Sequence, residues 1–282
     1  MALQRVAVLG AGTMGHGIAY AALAAGFDVQ LFDVDGAALD NGRAAIGELV
    51  AKALEIGKLS AAGAREATSR LGASTELGAA LDSADLVIEA APERLDLKLA
   101  LFAEISRLAP PAAFVVSNTS ALSITELAAT LADPTRVAGM HFFNPVHKMK
   151  LVEIVRALET SPATLQAIEE VARRMGKETV LVRESPGFIT TRVNASIGNE
   201  AFYMLMEGVA SARDIDKALK LGLNHPMGPF ELVDLVGLDT RLSILEYLHR
   251  AMGEKYRPCP LLVQYVKAGR LGKKVGRGVY DY

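Results

Sequence analysis

The sequence predicts two domains of different class: a mainly parallel α/β domain over residues 1–184, followed by an all-α domain over residues 185–282. Three observations carry that reading. Short strands rich in leucine or β-branched residues alternate with longer alanine-rich helical stretches through the first part of the chain. A glycine cluster, Gly10-Ala11-Gly12-Thr13-Met14-Gly15, stands where the first strand gives way to the first helix. At Ser185-Pro186-Gly187 the alternation stops, and apolar residues then recur with the 3.6-residue helical period.

In chain order, strands are expected near Arg5–Leu9, Asp28–Phe32, Asp85–Glu89, Phe114–Ser117, Arg136–His141, Leu151–Val155 and Thr179–Leu181. Ala37–Ile56 is long for a crossover helix, and with Lys58–Arg70 it is expected to form a projecting helical hairpin. Beyond Pro186 and Gly187, the stretches Val193–Met206, Ala212–Leu221, Pro229–Val236 and Thr240–Met252 read as helices. This second part is rich in Met and Leu and apolar on many faces, as in modules that bury themselves against a partner chain.

With 51% hydrophobic and 22% charged residues in 282, the chain can bury one large core or two moderate ones. A net charge of -2 and a pI near 6.2 lack the basic excess that a nucleic-acid partner requires. Cys259 is the single cysteine, so neither a disulfide nor a thiolate metal cage is available, which fits a reducing, cytoplasmic setting. No histidine and carboxylate grouping has zinc-site spacing, and no metal is expected. The chain enters an apolar strand soon after Met1, so no signal peptide is expected. Apolar runs such as Ile18–Ala25 fall short of the roughly 20 residues that span a bilayer.

The glycine cluster has the context of a dinucleotide site and makes the first domain Rossmann-type. Gly10 permits the tight turn, Gly12 lets backbone approach a pyrophosphate, and Gly15 lets helix and strand pack closely. Thr13 and Met14 open the helix, whose N-terminal N–H groups face the phosphates. Asp33 ends the second strand about 20 residues on, where a carboxylate accepts from a ribose and repels a 2′-phosphate. NAD is therefore the expected cofactor, although flavin dinucleotides use the same turn.

A second dense region runs from Val115 to Glu153. Oxidising an alcohol to a ketone needs a base for the hydroxyl proton while hydride leaves the same carbon, and neutral imidazole suits that task. A carboxylate on the second ring nitrogen would fix the tautomer. His141, at a strand end, and Glu153, on the next strand, are candidates for that pair.

Seven segments in order, GAGTMG, ADLVIEAAPE, SNTSALSI, HFFNPVHKMKLVEIV, SPGFI, DIDKALKLGLNHPMGPFEL and GKKVGRGVYDY, cover nearly the whole chain. On these the sequence resembles the L-3-hydroxyacyl-CoA dehydrogenases, especially the short bacterial 3-hydroxybutyryl-CoA enzymes. The resemblance implies NAD-dependent, reversible oxidation of a (3S)-3-hydroxyacyl-CoA, with His141 as general base and Glu153 orienting it. It implies that Ser120 holds the substrate's C3 oxygen near the nicotinamide, with Asn118 and Asn144 close to the same ring. Glu93 and Lys98 match ribose or phosphate contacts, and Lys273 or Lys274 would close over the cofactor. A homodimer formed through the helical domain is also implied.

One position departs from the family pattern. Where an asparagine usually follows PGFI before the arginine, this chain has Thr191; its hydroxyl can still donate, and Asn194, one helical turn along, is an alternative donor. For coenzyme A phosphates, Lys52 and Lys58 on the expected hairpin are the candidates. Ser123 reads instead as a helix cap with Glu126 as its capping-box partner. His16, His147, His225 and His249 read as structural or solvated. Two other functions stay open: a sugar-acid dehydrogenase of the same superfamily, of the L-gulonate type, which HFFNP disfavours, and a non-catalytic NAD-binding protein, which His141, Glu153 and Ser120 together disfavour.

Overall fold

In the computed structural model, residues 3–282 are described, and the chain divides into two compact units, Met1–Ser185 and Pro186–Tyr282. The first contains strands β1 (Arg5–Leu9), β2 (Asp28–Phe32), β3 (Leu71–Ser74), β4 (Leu86–Glu89), β5 (Phe114–Ser117), β6 (Val137–Phe142), β7 (Leu151–Arg156) and β8 (Glu178–Arg183). Its helices are α1 (Thr13–Ala24), α2 (Gly36–Glu55), α3 (Ala61–Ser69), α4 (Leu77–Leu81), α5 (Leu95–Leu108), α6 (Ile124–Ala128) and α7 (Pro162–Arg174). The strands form one sheet in the order β3-β2-β1-β4-β5-β6-β7-β8. Every neighbouring pair is parallel except β6 and β7, which run antiparallel. Strand order reverses direction at β1, so the carboxyl ends of β1 and β4 flank the crevice where such sheets bind ligands.

The central strands read as apolar runs because helices cover both faces: all of Leu86–Glu89 and Val137–Phe142 is buried. β3 escapes prediction because Leu-Gly-Ala-Ser has no β-branched residue. It exists by pairing, with Gln30 of β2 opposite Gly72, where a Cβ would fall 2.3 Å from the Gln30 amide. The strand holds because glycine leaves room for its neighbour's side chain.

The expected projecting hairpin is corrected. Leu39, Ile46, Val50 and Ala53 of α2 and Ala64 and Ala67 of α3 join the same core as α1, so the pair packs along its inner face. At Gly42 a Cβ would lie 2.7 Å from the Ala11 carbonyl oxygen, so α2 rests directly on the glycine turn. Ser123 caps α6 by accepting from the Glu126 N–H at 3.1 Å, while its hydroxyl donates to Glu184 at 2.6 Å.

The second unit holds α8 (Thr190–Met206), α9 (Ala212–Gly222), α10 (Pro229–Val236), α11 (Leu238–Met252) and α12 (Pro260–Lys267). Its core centres on Phe202, with Phe230 and Tyr265 edge-on at 5.2 and 5.9 Å. Pro229 opens α10 without an N–H, and the buried Asp216 carboxylate accepts the next two, from Phe230 and Glu231. α12, Pro260–Lys267, was not anticipated from sequence. No helix among the described residues is long and apolar enough to cross a membrane.

Candidate active site

The glycine turn divides its work as its spacing predicts. Gly10 has φ +106°, its N–H donates to Phe32 O at 2.8 Å, and a Cβ there would sit 2.6 Å from Ala90 O. A Cβ on Gly15 would lie 1.6 Å from Gly10 O, so only hydrogen fits between helix and turn. Gly12 differs: a Cβ there would meet no protein atom within 4 Å. That open face lies at the N-terminus of α1, which has no side-chain cap and begins with Thr13 and Met14. Uncapped N–H groups, a dipole end and open space fit a pyrophosphate.

Asp33 is fixed by the same turn. One carboxylate oxygen accepts from Ala11 N at 2.9 Å and the other from Asp35 N at 3.1 Å. A carboxylate offers about four lone-pair sites, so capacity for a ribose hydroxyl remains.

Beside the turn, at the ends of β4 and β5, lies a buried polar network that sequence reasoning missed. Glu89, fully buried, accepts from Lys98 Nζ at 2.5 Å, Ser117 Oγ at 2.5 Å and Ala91 N at 2.7 Å. Lys98 also donates to Ala91 O at 3.1 Å and stands 3.5 Å from Glu93. Lys98 is 1% exposed and, standing beside Glu93, helps to position that carboxylate. Glu93 in turn accepts from Thr119 Oγ at 2.5 Å and Ser120 N at 2.8 Å, fixing the backbone that carries the Ser120 hydroxyl. One available signal was Glu89 itself, a lone charge ending the buried run Leu86-Val87-Ile88.

Asn118 joins this network to the next strand, since its N–H donates to Glu89 O and its side-chain oxygen accepts from Phe142 N, each at 2.8 Å. Phe142 adjoins His141. Antiparallel pairing of β6 and β7 sets His141 opposite Glu153, and opposed residues point to the same face. His141 Nδ1 and a Glu153 carboxylate oxygen are 2.8 Å apart, the residues being 5% and 1% exposed. The carboxylate accepts from Nδ1, which leaves the lone pair of the neutral ring on Nε2. Phe143 packs against the imidazole with ring centroids 4.6 Å apart. Asn144 follows, exposed, in the β6–β7 connection.

Lys52 is exposed and paired with Glu55 at 2.9 Å, and Lys58 is exposed beyond the end of α2. In the helical unit, Thr191 and Asn194 stand half-buried in the first turn of α8. Lys274 donates to both Asp239 oxygens at 2.6 and 2.7 Å, and Lys273 lies over the Tyr282 ring.

A dinucleotide cradle at a sheet switch point, beside a buried imidazole–carboxylate pair, defines a nicotinamide-dependent oxidoreductase. Residues 5–185 match the NAD-binding domain of 3-hydroxyacyl-CoA dehydrogenase, and residues 187–282 match its C-terminal domain. The chain is 48% identical to a probable 3-hydroxybutyryl-CoA dehydrogenase of Bacillus subtilis, over 100% of this chain and 98% of that protein. It is 43% identical to a 3-hydroxyadipyl-CoA dehydrogenase of Escherichia coli, over 99% of this chain and 59% of the longer relative. The crystal structure of (S)-3-hydroxybutyryl-CoA dehydrogenase from Ralstonia eutropha superposes with a TM-score of 0.95 at 42% identity, covering 100% of this chain and 99% of that one. This chain belongs to the 3-hydroxyacyl-CoA dehydrogenase family of NAD-dependent oxidoreductases.

Proposed function

We propose that the chain carries out the reversible oxidation of a short-chain (3S)-3-hydroxyacyl-CoA, such as 3-hydroxybutyryl-CoA, to the 3-oxoacyl-CoA, with His141 as general base. The supporting observation is the 2.8 Å contact between His141 Nδ1 and Glu153, set by strand register. Bound NAD supplies the hydride acceptor. His141 Nε2 takes the C3 hydroxyl proton as hydride leaves C3, and Glu153, a positioning residue, holds the ring and stabilises the imidazolium. The Ser120 hydroxyl and a donor on α8, Thr191 or Asn194, polarise the C3 oxygen. Gly10, Gly12, Thr13, Met14, Gly15 and Asp33 would hold the cofactor, with Glu93 at a ribose or phosphate and Asn118 and Asn144 near the nicotinamide. Lys52 and Lys58 meet the coenzyme A phosphates; Lys58 shares a basic neighbourhood with Lys148 and Lys177 around His147. The active form is a homodimer through the helical unit, in the cytoplasm; sedimentation at low concentration tests the first part.

NADH consumption with acetoacetyl-CoA tests the activity. His141→Ala is expected to lower turnover by about 10²–10⁴-fold, the usual loss on removing a general base, while NADH affinity stays close to wild type. Near-wild-type turnover would remove the assignment. NADH binding without consumption in the wild type would favour a sugar-acid dehydrogenase or a non-catalytic NAD-binding protein.

A further inference from the structure

Residues 118–123 join β5 to α6 and carry Ser120. At the near end of this segment, Glu93 accepts from Thr119 Oγ at 2.5 Å and Ser120 N at 2.8 Å, and Thr119 Oγ accepts in turn from Leu122 N at 3.0 Å. At the far end stands a second carboxylate, Glu184, which the reaction scheme above does not use. It accepts from Ser123 Oγ at 2.6 Å, from Thr125 N at 3.1 Å and from the Thr125 hydroxyl. Thr125 Oγ also accepts from Leu158 N at 3.0 Å, and Glu184 N donates to Arg156 O at 3.0 Å, beside the end of β8. Glu184 is therefore anchored to the sheet and passes that anchorage to the start of α6.

Capping α6 does not by itself require this. Ser123 already accepts from Glu126 N, the ordinary side-chain cap. Ile124 and Leu127 are fully buried and settle how deeply α6 sits, but apolar burial is non-directional. Hydrogen bonds to a carboxylate are charge-assisted and fix orientation. A helix as short as Ile124–Ala128 has little stability of its own, so its first turn is aimed by what holds it. Its N-cap, Ser123, is three residues past Ser120. Along the run from β5 to α6, the hydroxyls of Ser117, Thr119 and Ser123 donate to Glu89, Glu93 and Glu184 in turn. Ser120 is the hydroxyl of the run that donates to none of these glutamates, and it stands between the last two.

We propose that Glu184 is a positioning residue for the dehydrogenase reaction: through Ser123 and Thr125 it sets the orientation of the segment that presents the Ser120 hydroxyl to the substrate's C3 oxygen. This rests on the assignment of Ser120 above and names what holds it. Removing the Glu184 carboxylate releases two hydroxyls and one N–H at the far end of the segment, while Glu93 still holds the near end. The segment then pivots, and a misplacement of about 1 Å in a positioning group costs up to about 10²-fold in rate. The loss falls on the transition state, where negative charge gathers on the C3 oxygen, more than on bound substrate. It therefore appears in kcat rather than in KM.

The test is a double-mutant cycle of Glu184→Ala and Ser120→Ala in the full-length enzyme, assayed with acetoacetyl-CoA and NADH, with Glu184→Gln alongside. Glu184→Ala is expected to lower kcat about tenfold, one hydrogen bond's worth, with KM for acetoacetyl-CoA and NADH affinity within about twofold of wild type. In the Ser120→Ala background the same change should lower kcat by less than about twofold, because residues that act as a unit are not additive. Glu184→Gln keeps an acceptor oxygen for Thr125 and should recover part of the loss. An equal loss of kcat in both backgrounds is what a merely structural glutamate gives, and it overturns the proposal; so does an unchanged kcat in Glu184→Ala. If Glu184→Ala does not fold, Glu184→Gln in the two backgrounds decides by the same criterion. Wild-type turnover in Ser120→Ala removes the Ser120 assignment and this inference with it, leaving His141 as base. Failure of the wild type to oxidise NADH overturns the dehydrogenase reading itself.

Discussion

Each unit buries a long cation, and the two are treated in opposite ways. In the α/β unit, Lys98 is 1% exposed and closed off by Glu89, the Ala91 carbonyl and Glu93. In the helical unit, Arg241 is as deeply buried and meets no carboxylate among the described residues. A paired buried charge belongs to the scaffold: it stiffens the ends of β4 and β5 and sets where Ser120 stands.

The contrast can be broken most forcefully at Glu89. Glu89→Ala leaves Lys98 buried without its carboxylate and should cost about 3–5 kcal/mol in urea denaturation, the range for breaking a buried pair. A loss under about 1 kcal/mol would mean that Lys98 is no better satisfied than Arg241. The glycine turn sharpens the same distinction between scaffold and ligand demand. Gly15→Ala drives a methyl into Gly10 O and should cost about 1–3 kcal/mol as well as NADH affinity. Gly12→Ala meets no protein atom, so its melting temperature should stay near wild type while NADH binding, followed by titration, weakens. Equal effects from the two substitutions would contradict the division of roles.

Smaller effects separate the two donors on α8. Removing whichever of them polarises the substrate oxygen, by Thr191→Val or Asn194→Ala, should lower kcat about tenfold, one hydrogen bond's worth, and the other change should be nearly silent. Two silent variants would remove α8 from the chemistry. The smallest effect concerns pH. Burial, reinforced by Lys148, Lys58, Lys177 and His16, holds His147 below its ordinary 6.5. The unfolded chain then binds more protons near pH 6 than the folded one, so this contribution to stability is present above that range and lost as pH falls through it. Between pH 7.5 and 5, His147→Asn should flatten the decline in melting temperature; an unchanged slope would assign the decline to other groups.

Much of the fold was legible because its strands are apolar runs bounded by turn residues, and because the glycine turn carries its own geometry. β3 was not, since Leu-Gly-Ala-Ser becomes a strand only through a partner about forty residues away in the chain. His141 and Glu153 could be paired from sequence because both lie on adjacent strands in one short stretch. The Glu89, Lys98 and Ser117 network was hidden because its members come from three separate elements. The burial of Lys98 was hidden for the same reason: a lysine in a helix of mixed polarity gives no sign that its ammonium turns inward. Arg241 gave less sign still, since Leu-Asp-Thr-Arg-Leu-Ser reads as an ordinary amphipathic start to a helix.

The single antiparallel pairing in the sheet has a kinetic consequence. Because β7 returns directly along β6, the acid–base pair is separated by only 12 residues of chain and needs no crossover helix to meet. Loop-closure entropy grows with contour length, so this is among the less costly long-side-chain encounters in the sheet. Pairings between strands so close in sequence require less loop closure than the distant parallel ones. The imidazole is thus oriented by a short, local piece of chain, and its alignment is inherited from hairpin assembly rather than from the later docking of remote elements.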